Sequence, residues 1–112
     1  MGQELVKITK QSQVIKFEIK DGQQVQGRAF LYLIYNDLHA EPYGLMENVF
    51  VDESQRGKGI GSQLVRLVVA EAKALGCYKL VATVRMSKGV VCSWYEKFGF
   101  KNHGVEFRMD LI

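Results

Sequence analysis

Gln55-Arg56-Gly57-Lys58-Gly59-Ile60-Gly61 stands between an apolar run, Leu45-Met46-Glu47-Asn48-Val49-Phe50-Val51, and an amphipathic stretch over residues 62–75. The order is strand, glycine turn, helix start. Three glycines at alternate positions leave little side chain between the main chain and whatever lies in front of it. The first N–H groups of the helix that follows have no partner within that helix. Those amides, the positive end of the helix dipole, Arg56 and Lys58 together suit a phosphate or pyrophosphate. The spacing is neither that of a nucleoside-triphosphate P-loop nor that of the G-x-G-x-x-G dinucleotide turn. Taken alone, the stretch fits a phosphate site and a helix-capping turn equally well.

Upstream, Ile15, Phe17 and Ile19 alternate with Lys16, Glu18 and Lys20, which predicts a strand over residues 14–20. Asp21-Gly22 predicts a hairpin into a strand over residues 25–35. That strand carries Val25, Ala29, Leu31 and Leu33 on one face and Phe30, Tyr32 and Ile34 on the other, so it is expected to be central and covered on both sides. Residues 5–9 alternate weakly and are expected to form an edge strand. Residues 36–44 read as a loop whose Asp37, His39 and Glu41 imply no metal. They read either as a solvated turn or as the lining of an acceptor pocket.

Downstream, Leu64, Val68, Ala72 and Leu75 share one helical face, and Gly76 ends the helix. Residues 78–85 read as a strand parallel to 45–52. A second helix spans 89–98 and stops at Gly99, and an alternating run over 105–111 is expected to close the sheet. The chain therefore reads as α/β with a mixed, mostly antiparallel sheet around a central βαβ unit, in a single domain spanning residues 1–112.

The 112 residues are enough for one core. Fifteen Lys and Arg against twelve Asp and Glu give +3, spread along the chain, which suits an anionic ligand and lacks the clustered stripe of a nucleic-acid binder. No run reaches transmembrane length and the first residues show no secretory pattern, so a cytoplasmic location is expected, without membrane or nucleic-acid partners. Cys77 and Cys92 form no ligand set and are expected as reduced thiols.

Arg56, Gly59 and Gly61 resemble the R/Q-x-x-G-x-G/A loop of the GNAT superfamily of acyl-CoA-dependent N-acyltransferases. Trp94-Tyr95-Glu96-Lys97-Phe98-Gly99-Phe100 is similar to that superfamily's F/L-Y-x-K-x-G-F helix end, and residues 45–51 stand where its splayed, bulged strand does. The run M-E-N-V-F-V…R-G-K-G-I-G-S is locally similar to diamine acetyltransferases. The resemblance implies acetyl-CoA as co-substrate and N-acetyl transfer to a primary amine by direct attack. It gives Glu47 the role of base and Tyr95 that of acid. The amides of Val49, Phe50 and Val51, and of Arg56, Gly57, Lys58, Gly59, Ile60, Gly61 and Ser62, would hold the cofactor. Lys88 stands where the superfamily often has Asn, and reads either as a phosphate contact or as a solvated side chain.

The helical pair that usually follows the first strand in the superfamily is missing, leaving only a turn between Lys20 and Val25. The acceptor side is then either very open or completed by a second subunit, and a homodimer is expected. A small-molecule amine and a protein amine both stay open as acceptors. Two other readings stay open as well: a non-catalytic acyl-CoA-binding or sensing module, and an unrelated α/β interaction domain whose glycine turn is structural.

Overall fold

A computed structural model of the chain describes residues 2–84 and 89–112. β1 (Val14–Asp21) and β2 (Gln24–Ile34) form the expected hairpin, with Asp21 opposite Gln24. Gly22 takes φ +61° at the first central position of the turn, which glycine adopts without strain. β3 (Tyr43–Val51) runs antiparallel to β2, and β4 (Leu80–Ala82) runs parallel to β3, giving the order β1-β2-β3-β4. A single 3-10 turn, Glu53–Gln55, leads from β3 into the glycine loop. The helix α1 (Ile60–Ala74) then returns the chain to β4, and α2 (Gly89–Glu96) follows.

α1 lies on the sheet face that carries Ala29, Leu31, Leu33 and Met46. It buries Leu64, Val65, Val68 and Ala72 against them, and these eight side chains are the core. Each such Leu, Val or Met contributes roughly 1.5–3 kcal/mol when fully buried. The helix closes as sequence predicts. Gly76 takes φ +75°, and the amides of Gly76 and Cys77 donate to the carbonyls of Lys73 (3.1 Å) and Ala72 (3.0 Å), which caps the last turn.

Several expectations differ from the structure. The strand expected over 78–85 narrows to β4, and the helix expected over 89–98 ends at Glu96. Residues 2–13 contain no strand, although Gln13 still accepts the Leu33 N–H at 2.9 Å just ahead of β1. α1 begins at Ile60, two residues early, because Ile60 is seated against Gly27 and joins the apolar face. That face takes Val65, while Leu75 becomes the half-exposed C-cap. The other face of β2 is only half-covered at Phe30, Tyr32 and Ile34, since no described helix lies on it. Residues 101–112 carry the alternating run yet form no strand, and Phe107 is 93% exposed. Alternation decides which side chains share a face, whereas pairing needs a neighbouring edge, and the three-residue β4 offers little of one.

Candidate active site

β3 does not run straight. Arg28 pairs with Phe50 and Phe30 with Glu47, so Ala29 alone faces both Asn48 and Val49. The extra residue makes a bulge, and Asn48 takes φ +56° within it. Asparagine tolerates this left-handed geometry better than other non-glycine residues. Its side-chain oxygen accepts from Arg28 Nη2 at 3.3 Å. β4 pairs with β3 only along Gly44–Met46, so among the described residues the two parallel strands part where the bulge begins. Among the described residues, the C-terminal half of β3 beyond Met46 therefore has no strand partner on its β4 side.

The glycine loop follows the C-terminal end of β3, after the 3-10 turn. Gly57 and Gly59 take φ +82° and +81°, and a Cβ built at either would meet nothing within 4 Å. The space in front of them is open. Gly59 is the N-cap of α1 and supplies no capping side chain, and the first turn contains no acid. Gln63 makes the first intrahelical bond, to the Gly59 carbonyl at 3.0 Å, so the amides of Ile60, Gly61 and Ser62 come before it. Arg56 is exposed at the loop's start, and Lys58 donates to Gln55 at 3.3 Å. These features fit an anionic phosphate group.

Gly61 has a different role from the other two. A Cβ there would stand 3.5 Å from Val51 and 3.6 Å from the Trp94 ring, in ordinary van der Waals contact, so this glycine faces packed side chains and not the open space before the loop. From Ser62 a groove of about 600 Å³ runs between the helices, lined by Arg66, Lys73, Trp94 and Lys97. It continues the positive charge of the loop along α1.

Glu47 is exposed on β3 immediately before the bulge, and none of the ion pairs among the described residues involves it. Tyr95 is half-buried on α2, between Trp94 (rings 5.2 Å apart) and Phe100 (5.5 Å). Burial pushes its phenol above the ordinary value, which favours the protonated, donating form. Val49 and Val51 pack toward the core, while Phe50 is 41% exposed beneath the Arg28 guanidinium, 4.6 Å from its ring centre. Lys88 lies outside the described residues, as does residue 85, the last of the strand expected over 78–85, whereas residues 83 and 84 are described and are not strand.

The loop over residues 36–44 does not line this site. It precedes β3, at the end of the strand away from the bulge. There the His39 ring lies tilted against that of Tyr78, 4.1 Å between centres, and Asp37 pairs with Lys10 at 2.9 Å. Asn48 is the residue that sequence reasoning missed. An Asn inside an apolar strand, a residue type depleted in strands, was the available signal.

The sequence pattern of the Acetyltransferase (GNAT) family matches residues 5–100. The chain is 37% identical over 68 residues to a glucosamine 6-phosphate N-acetyltransferase of Trypanosoma brucei brucei, covering 61% of this chain and 44% of that protein. It is 32% identical over 57 residues to an L-methionine sulfoximine/L-methionine sulfone acetyltransferase of Pseudomonas aeruginosa, covering 51% and 33%. The matched regions are under half the length of these relatives. A solved acetyltransferase structure from Trypanosoma brucei superposes with a TM-score of 0.77 at 28% identity, covering 88% of this chain and 69% of that one.

Proposed function

This chain belongs to the Acetyltransferase (GNAT) family, and from that premise we propose that it transfers an acetyl group from acetyl-CoA to a primary amine by direct attack. The observation that carries the reading is the β3 bulge at Asn48, with the parting of β3 from β4, next to a glycine loop open in front of Gly57 and Gly59. Main-chain groups at Val49, Phe50 and Val51, beyond the end of the pairing with β4, would hold the extended arm of the donor. A Val49 N–H would steady the negative charge that builds on the thioester oxygen. The amides from Gly57 to Ser62, with Arg56 and Lys58, would hold the pyrophosphate, and the groove past Arg66 and Lys97 would extend the same charge.

An alkylamine is mostly protonated near neutral pH and must lose a proton to attack. Glu47, before the bulge and without an ionic partner, would take that proton directly or through water. Tyr95, kept protonated by its burial, would give a proton to the departing thiolate. One C–N bond forms and one C–S bond breaks; the nitrogen sheds two protons, one to Glu47 before attack, which Glu47 would pass to water, and one from the tetrahedral adduct, which would restore the proton Tyr95 gives to the thiolate. The acceptors named for the relatives, glucosamine 6-phosphate and L-methionine sulfoximine, each carry an amine, and both are candidates here. The open sheet face at Phe30 and Tyr32 leaves room for a partner subunit or for an exposed substrate.

The test is acetyl transfer with purified protein, acetyl-CoA and a panel of amines that includes these two, read as thiol release and as mass gain of the amine. Product is expected with at least one amine. Tight CoA binding with no product from any amine would replace this reading by that of an acyl-CoA sensor.

A further inference from the structure

The sheet face opposite α1 carries its side chains in cross-strand rows. Lys16 pairs with Phe30 and Phe30 with Glu47, so one row reads ammonium, aromatic ring, carboxylate. In the next row Tyr32 stands opposite Leu45, and the Tyr32 ring lies 6.2 Å from that of Phe30, stacked at 22°. No described helix covers these rings, which are half-buried. Three adjacent strands set the ends of the row about 10 Å apart at the main chain. The carboxylate end is Glu47, at the edge of the bulge.

Of the charged groups on this face, Lys16 already leans over the Phe30 ring, 5.7 Å from its centre, and pairs with Glu18 at 3.2 Å. Both partners of that pair are exposed, so it is weak and exchangeable. Arg28 is occupied by Asn48 and Phe50. The row is thus complementary to a molecule with a cation at one end, an anion at the other and a flat or apolar body between them. A second ammonium in place of the anion would meet Lys16, with Arg28 in the neighbouring row.

We propose that the Lys16–Phe30–Glu47 row selects a zwitterionic acceptor: its amine at Glu47, its body on the Phe30–Tyr32 rings, and its carboxylate or phosphate at Lys16. The assignment rests on the transferase reading and narrows it to a substrate class. Lys16 and Phe30 act as specificity residues and take no part in bond making.

The test measures equilibrium binding by NMR titration of the full chain in the presence of CoA, without turnover. The probes are 4-(aminomethyl)benzoate, 4-(aminomethyl)phenylphosphonate, benzylamine and the diamine p-xylylenediamine. Either zwitterion is expected to bind about tenfold tighter than benzylamine, the size of one charge-assisted contact. The two zwitterions separate a carboxylate preference from a phosphate preference. Lys16→Gln, an exposed substitution, is expected to bring the ratio of zwitterion to benzylamine affinity close to one, and Lys16→Glu to turn the preference toward the diamine. Equal binding of zwitterions and benzylamine by the wild type, no binding of any probe, or a preference that survives Lys16→Gln would each overturn the proposal. The expected binding order with no acetylated product in any assay would leave this site standing and sink the transferase reading instead.

Discussion

Gly27 fixes how the start of α1 meets the sheet, and adding one methyl group there tests that contact. A Cβ at Gly27 would stand 2.8 Å from Ile60 Cγ2, 3.0 Å from Leu64 Cδ1 and 3.0 Å from the Phe50 carbonyl oxygen. Two of these atoms are side-chain tips that can yield, but the third is main chain next to the bulge. The helix start must then lift or tilt, and overpacking of this kind costs about 1–3 kcal/mol. For a domain of this size Gly27→Ala should lower the melting midpoint by about 4–10 °C. Ile60→Ala on its own should also destabilise, by about 1–3 kcal/mol, since it empties part of the same contact. Combined with Gly27→Ala it vacates the space the new methyl needs, so the double variant should be at least about 1 kcal/mol more stable than the sum of the single effects. Urea titration of all four proteins measures this coupling. Additive effects within about 0.3 kcal/mol, or a Gly27→Ala protein as stable as the wild type, would refute the close seating of Ile60 on Gly27.

Other consequences follow from single side chains. Glu47→Gln should lower kcat about 10²-fold while leaving CoA affinity in place, as steady-state kinetics and calorimetry would show. Burial holds the Tyr95 phenol above its ordinary value, so its contribution to stability is present below about pH 10 and is lost as pH rises through the native value. Tyr95→Phe should therefore flatten the alkaline loss of stability in melts above about pH 10, and slow turnover by tenfold or more. Asn48→Val puts a branched side chain at φ +56° and should cost about 1–2 kcal/mol in urea, while Asn48→Gly should stay within a few tenths of the wild type.

Where local chemistry decides the structure, the sequence was sufficient. Asp21-Gly22 announced the hairpin, Gly76 the helix end, and the spacing of Leu64, Val68 and Ala72 the buried helical face. The bulge was not legible, because an extra residue in one strand appears only in its register against a partner, although Asn48 marked the place. Gly61 read like Gly57 and Gly59, and only the positions of Val51 and Trp94 show that it faces packed side chains and not open space. The run over 105–111 has the period of a strand, but period alone does not supply an edge to pair with.

The most direct measurement is calorimetric titration of acetyl-CoA into the wild type and into Gly59→Asp, with thermal melts to verify that the variant folds. The substitution places a negative charge at the head of α1, in the open space before the loop. The wild type should bind and the folded variant should not. A wild type that fails to bind, or a folded variant that binds equally well, would contradict a cofactor held on residues 56–62.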